Sequence, residues 1–202
     1  MNIQKRIFFV ISGAAFFSVL LVLIPGQIIS KQIIEKQVQK NIEIACRAKA
    51  DEIEIFLENN KELTLQLSES QIIEDFLLLN KDDENYNKKL ETVNTRLKNS
   101  AKINKNIYDI FLINLKGIII ASNIEERIGL SRSENEYFLE GKKGFGIQGP
   151  YLSRFFKGQK SLAFSAPIYE NVTHKLLGVI VIRTKLTPLG DIWEKTKGRF
   201  FV

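Results

Sequence analysis

Ile107-Tyr108-Asp109-Ile110-Phe111-Leu112-Ile113-Asn114, then Leu115-Lys116-Gly117, then Ile118-Ile119-Ile120-Ala121-Ser122 is the stretch that decides the fold. Two runs of β-branched and aromatic residues flank a short polar turn closed by a glycine, which is the pattern of a β-hairpin. Gly117 suits such a turn because a positive φ costs glycine little. After a helical interruption, residues 145–153, 161–169 and 176–185 supply three more strands. Residues 106–190 are therefore expected to form a five-stranded antiparallel sheet interrupted by one helix, an α+β domain. Within it, Gly149-Pro150 should end or bend a strand, since proline has no amide for the ladder. Pro167 marks an edge strand or a change of pairing, and Gly178, inside a strongly apolar strand, permits close approach by a neighbouring backbone or a ligand.

Upstream, residues 30–80 contain neither Pro nor Gly. Ile34, Val38, Ile42, Ala45, then Ile53, Phe56, Leu57, Leu63 and Leu67 recur mostly at steps of three and four, as in an amphipathic helix. The early part is thinly apolar and is expected to pack on the same helix of a second copy, giving a homodimer. From Ile53 onward the stripe should pack within the chain. A break is expected at residues 67–71, with Ser70 capping a second helix that buries Ile72, Ile73, Phe76, Leu77 and Leu78. A third helix over 86–104 presents Leu90, Val93, Leu97 and Ala101 on one face. Residues 30–105 thus form a supporting helical segment.

Residues 7–24 carry no charge and follow Lys5 and Arg6. Their length approaches the roughly 20 residues that a helix needs to cross a bilayer core. A cleaved leader would be shorter and end in a small-x-small pattern, which is missing between Leu20 and Ser30. A pilin-type stalk would carry an acidic residue in the apolar segment, and none is there. The expectation is a membrane-embedded signal anchor in residues 1–29, with a short cytoplasmic tail and residues 30–202 extracytoplasmic, at a cell inner or plasma membrane.

Composition narrows the function. The 202 residues are 45% hydrophobic and 10% aromatic, enough for one domain core plus extra helix. The formal charge of +6 is dispersed among acidic residues, without the basic block and interleaved aromatics of a nucleic-acid surface, so no nucleic-acid partner is expected. One cysteine, Cys46, and one histidine, His174, support neither a disulfide framework nor a metal site. Nucleophile-elbow, zincin and P-loop motifs are all missing. Residues 144–149 spell Gly-x-Gly-x-x-Gly but open no helix and run into Pro150, so a dinucleotide fingerprint is rejected. No catalytic residue, no cofactor and no enzyme activity are expected.

The order of parts from Asp109 onward, Phe111–Ser122 followed by Ile128-Gly129-Leu130, Tyr137-Phe138, Gly149-Pro150-Tyr151, Ala166-Pro167-Ile168 and Leu177-Gly178-Val179, resembles the Cache sensor domains. More closely, it is similar to the membrane-distal half of a double Cache domain, over roughly residues 28–202. The resemblance implies a PAS-like sheet flanked by helices and a receptor of the chemoreceptor or sensor histidine kinase type. It also implies that residues 191–202 begin a second, membrane-proximal half that is cut short. On this reading the chain is the sensing portion of a receptor, truncated before its second span and output module. The alternative is an anchored structural or partner-binding protein without a ligand pocket.

The resemblance further implies where a ligand would sit. Amino-acid-binding members present an Arg-x-Trp-Tyr motif on the helix after the first hairpin and an Asp on the last strand. Here Asn135 stands at the Arg position, Tyr137 replaces the Trp and Phe138 the Tyr. The last strand offers Ile182-Arg183-Thr184 and has no Asp between Leu176 and Lys185. Amino-acid recognition by that motif is thus not expected. The candidate ligand-binding residues are Tyr137, Phe138, Tyr151, Ser153, Ser165, Arg183 and Thr184, forming an aromatic and small-polar wall. An inward Arg183 would favour a carboxylate or phosphate through a forked, charge-assisted contact, so the ligand class expected is an organic acid or similar small metabolite.

Overall fold

The computed structural model describes residues 3–152 and 160–186, apart from the side chains of residues 4–7, 9–12 and 19–30. Its elements run α1 (Ile3–Ser68), α2 (Gln71–Leu77), α3 (Tyr86–Ile103), β1 (Ile107–Asn114), β2 (Ile119–Ser122), a 3-10 turn (Glu125–Arg127), α4 (Glu136–Gly141), β3 (Gly146–Leu152), β4 (Lys160–Tyr169) and β5 (Leu176–Lys185). The chain divides into two compact units, residues 1–52 and 53–202.

The first unit is helical throughout its described part. Residues 31–52 are all exposed, including Ile33, Ile34, Val38 and Ile42. Exposed pairs such as Arg47–Glu43 at 2.9 Å and Lys49–Glu52 at 2.6 Å lie along its surface; pairs of this kind contribute only a few tenths of a kcal/mol, about 0.2–0.5 each. Among the described residues, no helix is long and apolar enough to cross a membrane. Of the expected span 7–24, positions 7, 9–12 and 19–24 lie outside the described side chains.

The second unit begins where the apolar stripe of α1 turns inward. Phe56, Leu57 and Leu63 pack against a core that includes Leu67, Ile73, Phe76, Val93 and Leu97. Phe56 meets Phe164 of the sheet edge-on at 6.5 Å. The break falls as expected, with α1 ending at Ser68 and Ser70 extended at φ −73°. Ser70 caps α2 differently from the expectation: its carbonyl accepts the amides of Ile73 and Glu74, while its hydroxyl makes no cap bond. α2 is also less buried than expected, since Ile72 and Leu78 are exposed and only Ile73 and Phe76 are fully covered among its apolar residues. With just seven residues, α2 has a face too short to bury five apolar side chains on one side.

The sheet has the order β2-β1-β5-β4-β3, and its pairings are all antiparallel. Alternation along each strand divides its side chains between two faces. Ile110 and Leu112, Ile180 and Ile182, and Leu162, Phe164, Ala166 and Ile168 meet the helical layer. Phe111 and Ile113, Val179 and Val181, and Ala163 face the other way, towards α4. Full burial of the Ile, Leu, Val and Phe side chains among them stabilises by roughly 1.5–3 kcal/mol each. Both sheet faces are covered near the centre, which explains why β1 and β5 read as nearly unbroken apolar runs.

The punctuation residues find specific tasks. A Cβ on Gly178 would lie 2.5 Å from the Ile113 carbonyl oxygen, so glycine permits the close approach of β5 to β1. Pro167 pairs with Val179 of β5, beyond the last β3–β4 pair at Gly146 and Ser165; β4 is internal, but at Pro167 it is locally an edge. Gly149-Pro150 bends β3 without ending it, through a shift of register between Gln148 and Tyr151.

Candidate ligand-binding cleft

The positive φ of Gly117, +79°, closes the β1–β2 turn, and Asn114 accepts the amides of Lys116 and Ile118 at 3.0 Å each. Gly117 has a second task that the sequence did not announce. A Cβ there would lie 2.5 Å from Ser133 Cα, and its carbonyl accepts the Arg132 amide at 2.6 Å. The missing side chain thereby seats residues 131–133 on the hairpin and fixes the start of α4. At the far end of α4, Gly141 has no room for a side chain, as a Cβ would come within 2.7 Å of Val179 Cγ1. α4 therefore lies close over the Phe111, Ile113, Val179 and Val181 end of the sheet face, where Tyr137 meets Phe111 edge-on at 6.0 Å.

Beside this helix the same sheet face is open, and a cleft of about 1060 Å³ remains. Across β1, β5, β4 and β3, Asp109, Arg183, Ala163 and Gln148 lie opposite one another in register. Ala163 leaves room above the strand centre. Arg183 and Gln148 reach the cleft, Tyr151 of β3 and Tyr137 of α4 wall it, and Arg127 and Arg132 enter from the segment between β2 and α4. Leu130, Ile147 and Leu152 add apolar edges, while the exposed Glu134 and Glu136 lie at its border.

The electrostatics centre on Asp109, which is only 1% exposed. Its Oδ2 lies 2.9 Å from Arg183 Nη2 and 3.6 Å from Arg127 Nε. Burial pushes its carboxyl above the usual range, and the Arg183, Arg127 and Arg132 charges oppose that shift without overcoming it. Burial likewise lowers Arg127 and raises the Tyr137 and Tyr151 phenols, the last also through the neighbouring Tyr108. The Tyr137 and Tyr151 phenols therefore stay neutral. The Arg183 guanidinium lies 5.0 Å from the Tyr108 ring centroid and 5.8 Å from that of Phe111, a cation held over aromatic faces. Gln148 is more than nine-tenths buried, and its Nε2 donates to no protein atom among the described residues.

Of the sequence candidates, the fold brings Tyr137, Tyr151 and Arg183 together in the cleft. Phe138 and Ser165 lie on the same sheet side but not in its lining; Phe138 belongs to the core under α4, with Lys142 Nζ 4.7 Å from its ring centroid. Thr184, next to Arg183, points by strand alternation to the opposite, helix-covered face. Ser153 lies outside the described residues. Sequence reasoning missed Asp109, Arg127, Arg132 and Gln148. The signal available for Asp109 was a lone acid inside an apolar strand, which needs a buried partner. Among the described residues, no cluster of His, Cys, Asp and Glu could hold a metal ion.

No protein-family model matches the sequence, and no curated protein matches it either. Solved structures do. The V. cholerae histidine kinase DctB sensor domain superposes with a TM-score of 0.63 at 20% identity, over 79% of this chain and 60% of that one. The ligand-binding domain of the Campylobacter jejuni chemoreceptor Tlp3, in complex with L-valine, gives 0.57 at 18% identity over 78% and 63%. The E. coli DcuS sensor domain gives 0.51 at 18% identity over 67% and 93%. The chain thus spans about three fifths of the first two domains. Its fold is that of the Cache-type sensor domains, as the order of its motifs implied.

Proposed function

We propose that this chain is the small-molecule-sensing part of a membrane receptor for signal transduction or chemotaxis. Residues 7–24 anchor it, and residues 30–202 lie outside the cytoplasm. The observation that carries the reading is the cleft itself: three arginines, Arg127, Arg132 and Arg183, converge with the Tyr137 and Tyr151 walls and a buried Gln148 whose Nε2 has no hydrogen-bond partner among the described residues. Guanidinium forks recognise carboxylates, and aromatic and aliphatic walls bury an apolar body. The two exposed glutamates at the border disfavour highly charged anions. The ligand is therefore a small organic acid with an apolar portion. Among the described residues, the lining carboxylates, Glu134 and Glu136, are exposed, and Asp109 is paired with Arg183 outside the lining, so an ammonium finds no deep partner.

Signalling requires that the ligand prefer one arrangement of the domain over another, since equal affinity shifts nothing. The exposed Ile34, Val38 and Ile42 of α1 offer a stripe for a second copy of the same helix. A thermal-shift screen of the purified full chain in mild detergent against small carboxylic acids tests the sensing role. At least one acid should raise the melting temperature, and Tyr137→Ala should weaken that rise. Silence across the panel would leave the anchored, partner-binding reading in its place.

A further inference from the structure

Building on the organic-acid reading of the cleft, we propose that Asp109 is the internal counter-anion of its arginine floor, and that an anionic ligand binds with uptake of a proton by Asp109. The argument starts from placement. Asp109 is not part of the cleft lining, whereas Arg183 and Arg127 are. Both arginines thus line the cleft and also face the carboxylate, with Asp109 Oδ2 2.9 Å from Arg183 Nη2 and 3.6 Å from Arg127 Nε. Asp109 Oδ1 is buried and accepts no hydrogen bond among the described residues. It is an acceptor with room in its bonding for a proton.

The groups around Asp109 come from every packed element. Arg183 faces it from β5, Arg127 from the 3-10 turn, Arg132 from the segment before α4 and Tyr137 from α4, with Tyr108 on its own strand. Lys185 lies two residues further along the same side of β5, and Tyr151 on β3 flanks Tyr108. The guanidinium charges favour the ionised carboxylate and oppose the cost of burial. An anion seated on the cleft side of Arg183 and Arg127 cancels part of that field and adds a like charge nearby. Both changes favour the protonated carboxyl. Protonation in turn frees the arginine pair to serve the ligand, so anion and proton reinforce each other. For one linked proton, affinity rises by up to about tenfold for each unit that pH falls through the transition. Glu134 and Glu136 are exposed, and water and salt screen their share of such coupling. Asp109 acts here as a positioning residue that selects for charge without touching the ligand.

The test uses the full 202-residue chain in detergent with two probes, phenylacetate and benzenesulfonate. Both pair one negative charge with an aromatic body, and benzenesulfonate remains ionised throughout. Calorimetric titration in buffers of different ionisation enthalpy counts the protons taken up. The expected result is fractional to full uptake of one proton per ligand, with affinity falling as pH rises. Asp109→Asn should remove both the uptake and the pH slope, and Asp109→Glu should retain them. Binding without uptake, or uptake unchanged in Asp109→Asn, overturns the inference while leaving the ligand cleft intact. Should neither probe bind the wild type, the organic-acid reading falls and takes the inference with it. Where Asp109→Asn does not fold, infrared difference spectra of the wild type decide. Benzenesulfonate has no carboxyl, so a new protonated-carboxyl band on its addition supports the proposal, and an unchanged band refutes it.

Discussion

Arg183→Met puts the buried ion pair to a quantitative test. The Arg183 side chain is about one-tenth exposed, and methionine keeps much of its stem volume. What disappears is the charge, 2.9 Å from Asp109 and 5.0 Å from the Tyr108 ring centroid. Removing one partner of a buried pair costs about 3–5 kcal/mol. Arg127, at 3.6 Å, still faces Asp109 and places the loss near the lower end, about 3 kcal/mol. The lost cation–aromatic contact adds about 0.5–1 kcal/mol. For a domain of this size each kcal/mol shifts the melting temperature by roughly 2–4 °C, so a fall of about 7–16 °C is expected at neutral pH. The pH dependence has a definite sign. The Asp109 carboxyl is already raised by burial, and losing Arg183 raises it further. A raised carboxyl contributes stability that is fully present below its unfolded value and is lost as pH rises through its folded value. The deficit of the variant therefore shrinks on acidification. Urea unfolding of both proteins at several pH values, followed by circular dichroism, measures it. A deficit below about 1 kcal/mol, or one that is flat with pH, would refute the account of Asp109 and Arg183 as a desolvated pair.

Two further substitutions test the frame that holds the cleft. Gly178→Ala places a methyl group 2.5 Å from the Ile113 carbonyl oxygen, a backbone atom that cannot rotate away, and should cost about 1–3 kcal/mol in a thermal melt. The control, Gly144→Ala, meets nothing within 4 Å and should stay within about 0.5 kcal/mol of the wild type. Glu74→Ala removes the buried carboxylate that accepts the Asn171 amide at 2.8 Å and its side-chain amide as well. Hydrogen exchange at residues 170–175 should quicken while β1 and β5 stay protected; equal change everywhere would mean that Glu74 supports the whole core.

Much of the fold was legible because its signals are local. The β1 and β5 bounds, Ile107–Asn114 and Leu176–Lys185, follow from apolar runs bounded by turn residues. The passage of α1 from an exposed helix to a packed one was visible in the step from sparse Ile34, Val38 and Ile42 to dense Ile53, Phe56 and Leu57, and the second compact unit starts at Ile53. Ile118 shows where local signals stop. It continues the apolar run of β2, yet its pairing is an isolated bridge to Ser131, because the Gly117 turn and the Arg132 amide draw that segment together. Such a contact is chosen by packing between segments, which a linear pattern does not record.

The cleft was less legible for a reason that the sheet makes concrete. Asp109 and Arg183 are 74 residues apart, yet they are direct neighbours once β1 pairs with β5, and Gln148 joins the same row through Ala163 of β4. A slip of one residue in any of those pairings would turn the corresponding side chain to the helical face, as the neighbouring Thr184 shows. Register is thus the quantity that makes a site of these four residues, and hydrophobic alternation fixes it: Ile182 must face the helices, so Arg183 cannot. The charge at Arg183 then demands a partner, and β1 provides one in Asp109, its direct neighbour in register, where β4 offers only Ala163. Asp109 answers that demand from inside the fold, which leaves the opposite side of the guanidinium turned towards the cleft. The core packing of β5 and the anion preference proposed for the cleft are consequently one constraint seen from its two faces.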